Sequence, residues 1–519
     1  MKDIILFNNK FFIFPALFLF SLLINQYYGN IGVFPVDSFS HFDTGYRILL
    51  NEHPFKDYWI VSGPFVDYFQ ALFFYLFGVN WQIYILHASI INAILTITTY
   101  IVLRNFNLNI IYSFIYSLFF SILAYPSSGT PFVDHHSAFF SLIGIYFLIL
   151  AIKTNSIYYW ILLPIAFILA FLSKQVPAAY IIISATIILI FYSISLKKFK
   201  WIVYSFLSFI FTILFVITFG KFQGISLHSF FEQYILYPQT IGNKRFSSLG
   251  FDFSNLIAHF KFIYISLLPF AYINLKNLFL DKKYFKSKNF FYFLILILLT
   301  FSLIFHQLLT RNQTFIFFLI PILTAFSHIS INSNKLIISA ALILFCFGIT
   351  TKYHLRFNEN RKFHELTYSD LNLAVNADKI DKKFSGLKWI SPEYSENPVE
   401  EINLINEIKN HFKNDNRNKM IMTNYSFFSV ILEKKIFSTT RWHIFDGTDY
   451  PQVNSSYFTS YKKLLINSLR KNKIKVVYMV NPVESSNLYD YVSDECFQVE
   501  KINKILTSYE IKNCKEIDG

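Results

Sequence analysis

Eleven stretches of this 519-residue chain are apolar and nearly free of Asp, Glu, Lys and Arg. They fall near 11–25, 83–103, 109–124, 137–152, 157–172, 176–195, 201–220, 262–280, 289–305, 314–330 and 336–351. An α-helix needs ~17–25 such residues to cross the hydrocarbon of a bilayer. A chain in lipid must also satisfy its backbone internally, which leaves helices or a closed barrel. The runs exceed the ~9–11 residues of a barrel strand, and the shorter ones are extended by flanking Tyr and Trp as interface anchors. The fold class expected is therefore a polytopic α-helical membrane protein with about 11 transmembrane helices. With 54% hydrophobic and 15% charged residues, a disordered, collagenous or disulfide-scaffold chain is excluded.

Charge divides the chain near position 352. Residues 1–352 carry 22 Lys and Arg against 10 Asp and Glu, whereas residues 353–519 carry 24 against 22. The expected domains are a membrane part at 1–352 and an extramembrane domain at 353–519. The loops on the N-terminal side of the membrane hold more Lys and Arg, including Lys153, Lys197, Lys198, Lys200, Lys282, Lys283, Lys286, Lys288 and Lys335. The positive-inside rule then puts the N-terminus in the cytoplasm. The odd number of spans sends residues 353–519 to the exoplasmic or periplasmic side of an inner (plasma) membrane. The basic excess reads as orientation and membrane-lipid contact, and no nucleic-acid module is present.

Two outside loops are long, about 26–81 and about 221–258. In the first, Ser38–Leu50 reads as an amphipathic helix and Phe65–Phe77 as an apolar one ending at Gly78. The tail alternates: a helix about 399–413, a strand Lys419–Thr423, a helix about 457–471 and a strand Ile474–Val480, an α/β pattern. Its glycines are Gly386, Gly447 and Gly519, so no Gly-rich loop is available to cradle a phosphate. Cys496 and Cys514 form either a disulfide or two free thiols. No internal repeat is evident.

The membrane part has ten acids, and five of them, Asp37, Asp43, Glu52, Asp57 and Asp67, lie in the first outside loop. Asp37 and His41, and Asp43 and Arg47, are four apart and share helix faces. A carboxylate at the membrane surface can serve as a general base toward a hydroxyl. Taken singly, each acid is better explained as a helix cap or a solvated surface group; the cluster as a whole points to function. Asp134, His135 and His136 open the fourth span on the outside. Neighbouring histidines diverge by about 100° on a helix and cannot share a metal, so these residues are candidates for contacting substrate or for a polar helix start. His87, His306 and His328 carry no assignment.

The stretch Val36-Asp37-Ser38-Phe39-Ser40-His41-Phe42-Asp43 is followed by Asp57-Tyr58-Trp59, Ser62-Gly63-Pro64-Phe65-Val66-Asp67-Tyr68 and a segment ending Phe77-Gly78. It resembles the first loop of GT-C fold glycosyltransferases, in particular the protein-mannosyltransferase and aminoarabinose-transferase group. Phe171-Leu172-Ser173-Lys174-Gln175-Val176-Pro177 is similar to a turn between two of their spans. The resemblance implies a GT-C-like catalytic domain. Such an enzyme moves a sugar from a polyprenyl-phosphate donor to a lipid, glycan or protein acceptor on the outer face, with inversion, in cell-envelope glycan or glycolipid synthesis.

The resemblance further implies that Asp37 is the base. The family's Asp-Glu pair reads Asp37-Ser38 here, so either Asp43 supplies the second acid or the chain has none. A divalent metal is the one cofactor the resemblance leaves room for. The donor phosphate needs fixed cations on the outside, and the topology puts Lys174, Lys244, Arg245 and Arg311 there. His41, Asp57, Tyr58, Asp67, Asp134, His135 and His136 are the candidates for contacting substrate. The competing readings are a lipid-linked sugar flippase or other transporter, and a glycan ligase. A transporter usually places ionisable groups near the bilayer midplane, whereas here the span centres are almost uncharged.

Overall fold

The computed structural model describes residues 2–124, 129–247, 249–250, 252–311, 316–331, 336–444, 446–512 and 514–518. Lys335 and the first two residues of the 314–330 run lie outside them. The chain forms two compact units. One comprises Met1–Tyr28, Ala88–Val216 and Arg245–Lys362; the other comprises Gly29–His87, Ile217–Lys244 and Phe363–Gly519.

The first unit is helical. Among the described residues, eight helices are long and apolar enough to cross a membrane, and Ile110–Ala124, Ile157–Ser173 and Leu319–Ile331 are shorter apolar helices. Together they fall on the eleven runs read from the sequence. Their burial is graded: 78% of the apolar stretch in Val133–Thr154 is enclosed, against 6% in Lys200–Phe222. The first is a central helix, and the second presents Phe206, Phe211 and Phe215 outward, as a helix wetted by lipid does. Gly144 explains one close packing: a methyl group there would stand 2.4 Å from the Phe167 ring, so only glycine lets helices 133–154 and 157–173 approach this closely. Polar side chains inside the bundle bond to one another or to a backbone carbonyl. Asn25 Nδ2 donates to Ser89 Oγ (3.1 Å), Asn92 Nδ2 to the Ser121 carbonyl (3.0 Å), and the Thr99 and Tyr146 hydroxyls meet at 2.9 Å.

Local chemistry sets the ends of these helices. Val133–Thr154 begins with Asp134 in its first turn, where a carboxylate complements the helix dipole. It ends at Asn155 in the left-handed conformation (φ 55°), whose N–H reaches the Ala151 carbonyl at 2.9 Å. Helix 157–173 stops at Lys174, which is extended (φ −159°). Three residues on, Pro177 excludes Val176 from the helical region (φ −121°, ψ 139°). The chain therefore runs extended for a moment between two spans, with Lys174 at the turn.

The second unit joins the first loop to the tail. β1 (Val375–Asn376) and β2 (Lys388–Trp389) form a short antiparallel pair. Residues 32 and 33 extend it, Gly32 N–H donating to the Lys388 carbonyl and Val33 N–H to that of Ile390, both at 2.9 Å. β3 (Lys419–Met422), β4 (Val476–Val480), β5 (Phe497–Lys501) and β6 (Leu506–Ile511) make a four-stranded sheet in the order β3-β4-β6-β5. β3 and β4 are parallel and the other pairs antiparallel. β4 is buried throughout, as its unbroken Val-Val-Tyr-Met-Val run requires. Helix Pro398–Asn414 is capped by Asn397 Oδ1, has Pro398 in its first turn, and buries Ile402, Ile405, Ile408 and Phe412. Cys496 and Cys514 form a disulfide.

The first-loop helix read over Ser38–Leu50 is two helices, Pro35–Ser38 and Ser40–Leu49. The break falls at Phe39, whose fully buried ring stacks on Trp389 (5.5 Å) and lies edge-on to Phe427 (4.8 Å). Tertiary packing of that ring overrides helical continuity. Phe65–Phe77 forms as read, ending at Gly78 with φ 93°, a conformation glycine adopts without strain.

Candidate functional site

In the first unit, three helix ends converge on one carboxylate. Lys174 Nζ donates to both oxygens of Asp134, at 2.7 and 2.6 Å. His306, near the end of helix Lys288–Leu309, meets Asp134 Oδ1 through Nε2 at 3.2 Å. Asp134 and His306 are buried, whereas the Lys174 side chain keeps 22% of its surface exposed. An ammonium has three N–H bonds, and in Lys174 two of them hold Asp134. Ser137 Oγ fixes the Lys174 carbonyl at 3.0 Å. Arg245 lies within electrostatic reach of His306, and Arg311 is exposed two residues beyond that helix, with φ 53°. The sequence placed Asp134, Lys174, Arg245 and Arg311 on one side of the membrane; the fold pairs Asp134 with Lys174 and adds His306, which had no assignment. Its signal was an ionisable group at a span end, where one is costly without a partner.

His135 and His136 are buried at the start of the same span. The His135 ring stacks on Phe139 (5.7 Å between centroids), and His136 Nδ1 lies 2.9 Å from the Phe132 carbonyl.

In the second unit, the first loop is tied down by its own acids. Asp67 is fully buried and faces His41 Nδ1 at 2.6 Å, Thr44 Oγ1 at 2.6 Å and the Arg441 guanidinium, which also binds Ser62. Burial works to raise the Asp67 carboxyl, but Arg441 and the hydrogen bonds from His41 and Thr44 outweigh it and hold it below the usual carboxylate range. Burial and the Arg441 charge push His41 down against the pull of Asp67, so its ring is neutral at neutral pH. An ionised carboxylate only accepts, so the His41 proton sits on Nδ1.

Arg47 forms a second buried centre. Its Nε donates to Glu52 at 2.7 Å, its NH2 to the Ser438 carbonyl at 2.7 Å, and its guanidinium stacks 4.0 Å over the Tyr58 ring. Asp43 stands 4.0 Å from Arg47; burial outweighs that attraction, and its carboxyl is pushed up to about 7. Asp57 accepts from the His53 N–H at 2.9 Å and lies 3.7 Å from Lys471.

Asp37 is half-buried in the first turn of helix 35–38, its N–H bonded to the Phe34 carbonyl at 2.9 Å. Lys244 is exposed. Among the described residues, no group of three His, Cys, Asp or Glu is placed to hold a metal ion, so no metal ligand set is assigned. Arg441, Ser62 and Thr44 were not read from the sequence. Arg441 is 374 residues from Asp67, and no local spacing signals such a pair.

Residues 53–218 match the model of the dolichyl-phosphate-mannose-protein mannosyltransferase family. The matched stretch contains Asp57, Asp67, Asp134 and Lys174 and begins after Asp37 and Asp43. Two crystal structures of ArnT from Cupriavidus metallidurans share the fold. The apo state is 12% identical with a TM-score of 0.53, and the state bound to undecaprenyl phosphate is 10% identical with a TM-score of 0.51. Each likeness covers 95% of this chain and 97% of that chain. Among curated protein sequences, none matches. The resemblance drawn from the first loop is borne out, and the fold is the ArnT-like GT-C fold with a C-terminal mixed α/β region.

Proposed function

We propose that the protein is a membrane glycosyltransferase that moves a sugar from a polyprenyl-phosphate donor to an acceptor hydroxyl or amine, with inversion. One observation carries this reading: a mannosyltransferase family model falls on residues 53–218 of a chain whose fold is that of ArnT, which has been crystallised with undecaprenyl phosphate.

In this reading Asp37 removes the proton from the acceptor as its oxygen or nitrogen attacks the anomeric carbon. The bond from that carbon to the phosphate oxygen breaks, and the electron pair leaves with the polyprenyl phosphate. Lys174, oriented by Asp134 and His306, supplies a charge-assisted N–H to the phosphate, with Arg245 and Arg311 as further cations.

The proposed orientation puts the N-terminus in the cytoplasm and residues 353–519 outside. Helix 133–154 supports it by having differently charged ends. Asp134 sits at one end and Lys153 at the other, roughly 28 Å apart at ~1.5 Å per residue, close to the ~30 Å of bilayer hydrocarbon. At the Lys153 end, Lys288 Nζ binds the Lys153 carbonyl (3.0 Å) and Lys198 Nζ binds Asn155 Oδ1 (3.2 Å), the basic end expected to face the cytoplasm.

Purified protein in liposomes, given isotope-labelled undecaprenyl-phosphate sugars one at a time with membrane extract as acceptor, tests the reading. Release of undecaprenyl phosphate with transfer of the label is expected. Movement of intact lipid-linked sugar across the bilayer, with no bond broken, supports the flippase instead. Transfer of a whole preassembled glycan supports the ligase.

A further inference from the structure

The tail contains a cavity of about 760 Å³ that the reaction above does not use. It lies at the carboxyl ends of the parallel strands β3 and β4. Tyr425 follows β3 by three residues, and Asn481 to Ser485 run straight on from β4. The turn from Lys504 into β6 closes a second side, because Leu506 pairs with Val480 at the end of β4. Glu393 and Tyr394 close a third, from the segment before helix 398–414. Open α/β sheets bind their ligands in this place, outside the carboxyl ends of parallel strands. The volume is within the ~300–1,000 Å³ of small-ligand sites.

The lining selects among ligands. Tyr394, Tyr425 and Tyr509 offer aromatic surface, and Glu393, Glu484 and Asn481 offer hydrogen-bonding groups. Among the described residues Lys504 is the one cation of the lining, and its Nζ is held by Glu400 at 2.7 Å. Glu393 and Glu484 leave the lining net negative once Glu400 has neutralised Lys504, which disfavours a phosphate or any other anion, and the tail has no Gly-rich loop to receive one. A purely apolar ligand would strip water from these carboxylates without replacing it. A sugar satisfies both surfaces: its hydroxyls donate to carboxylate and amide oxygens while its C–H face lies on a tyrosine ring. The Tyr425 wall is preset, since its hydroxyl donates to Glu401 at 2.8 Å, and Glu401 also accepts from Trp389 Nε1 (2.7 Å) and Ser391 Oγ (2.8 Å). A rigid wall lowers the ordering cost of binding.

We propose that this cavity binds a sugar unit of a glycan acceptor. The word acceptor rests on the glycosyltransferase reading; carbohydrate binding by the cavity does not.

Full-length protein in lipid nanodiscs is the sample. Saturation-transfer NMR is recorded with mannobiose, N,N′-diacetylchitobiose and lactose, and with ADP and the tripeptide Gly-Ser-Gly as controls. Transfer to the ring protons of at least one disaccharide is expected, with none to the controls. Tyr394→Ala removes a half-buried ring and Glu484→Gln changes an exposed side chain. Each should weaken the disaccharide signal at least fivefold with the unfolding temperature unchanged. No signal from any disaccharide, equal signals in wild type and both variants, or a signal from ADP or the tripeptide instead would overturn the proposal.

In the transfer assay with saturating donor, both variants should raise the acceptor KM at least tenfold and leave donor saturation unchanged. An unchanged acceptor KM overturns the acceptor assignment. Tyr394-dependent sugar binding by a protein that turns over no polyprenyl-phosphate sugar would keep the cavity and remove the glycosyltransferase reading, so the two failures are distinguishable.

Discussion

Lys174, at the turn between two spans, forms a two-pronged ion pair with Asp134 at the start of a third, the ammonium 2.7 and 2.6 Å from the two carboxylate oxygens. The pair fixes the ammonium while leaving part of its surface open. A charge-assisted hydrogen bond contributes ~1.5–3 kcal/mol, roughly 10- to 150-fold in binding. Lys174→Gln should therefore raise the KM for the polyprenyl-phosphate sugar by that factor while the protein still folds. Donor titration of the purified variant checks this, and unchanged donor saturation would contradict it.

Asp67 and Arg441 anchor the first loop to the tail sequence inside one unit. Removing one partner of a buried ion pair costs ~3–5 kcal/mol, so Arg441→Met should lower the thermal unfolding temperature sharply. The pH dependence has a definite sign. Asp67 and His41 both titrate lower in the fold than in the unfolded chain. Each thus contributes stability that is present above its unfolded pKa and lost as pH falls through its folded value. Unfolding followed from pH 8 to pH 3 should show stability dropping below about 6.5, the unfolded value of histidine, and again in the carboxylate range. A flat profile would refute the assignment.

The Cys496–Cys514 bridge closes a separation of 18 residues. Before reduction, denatured protein should take up alkylating reagent at Cys346 alone, and after reduction at all three cysteines. Reduction should cost about 3 kcal/mol in the chain-entropy model. Three thiols alkylated without reduction would show that no bridge forms.

The membrane part was legible because its signal is local: a span announces itself by ~20 residues of its own sequence. Phe65–Phe77 and the helices flanking β3 and β4 were legible for the same reason. The hairpin of β5 and β6 was not, because Phe497–Lys501 carries three polar residues and pairs only through its neighbour. The break at Phe39 follows from Trp389 and Phe427, 350 and 388 residues away, and the Asp67 partner Arg441 is 374 residues away. The acids are visible in the sequence only as a cluster, and the fold separates their settings. Asp67 is held by His41 and Arg441, Asp43 lies near Arg47, and Asp57 is bound by a backbone N–H.

The proposed orientation makes the tail exoplasmic. A reporter active only outside the cytoplasm, fused after Gly519, should be active. A silent one, with a cytoplasm-specific reporter active at the same position, would reverse the topology.

The central claim is that a first-loop carboxylate, Asp37, is the base. Asn keeps the shape of Asp but cannot take the proton, and a positioned base contributes ~10²–10⁴-fold in rate. Asp43 is the control, because its carboxyl, pushed up to about 7, would make kcat/KM rise with pH through about 7 if it were the base. The deciding measurement is the transfer rate at saturating donor for Asp37→Asn, Asp43→Asn and the double variant. Transfer by Asp37→Asn should fall by roughly 10²–10⁴-fold with donor binding and unfolding temperature intact. Full activity in Asp37→Asn with loss in Asp43→Asn would move the base to Asp43, and full activity in all three variants would contradict the carboxylate mechanism outright.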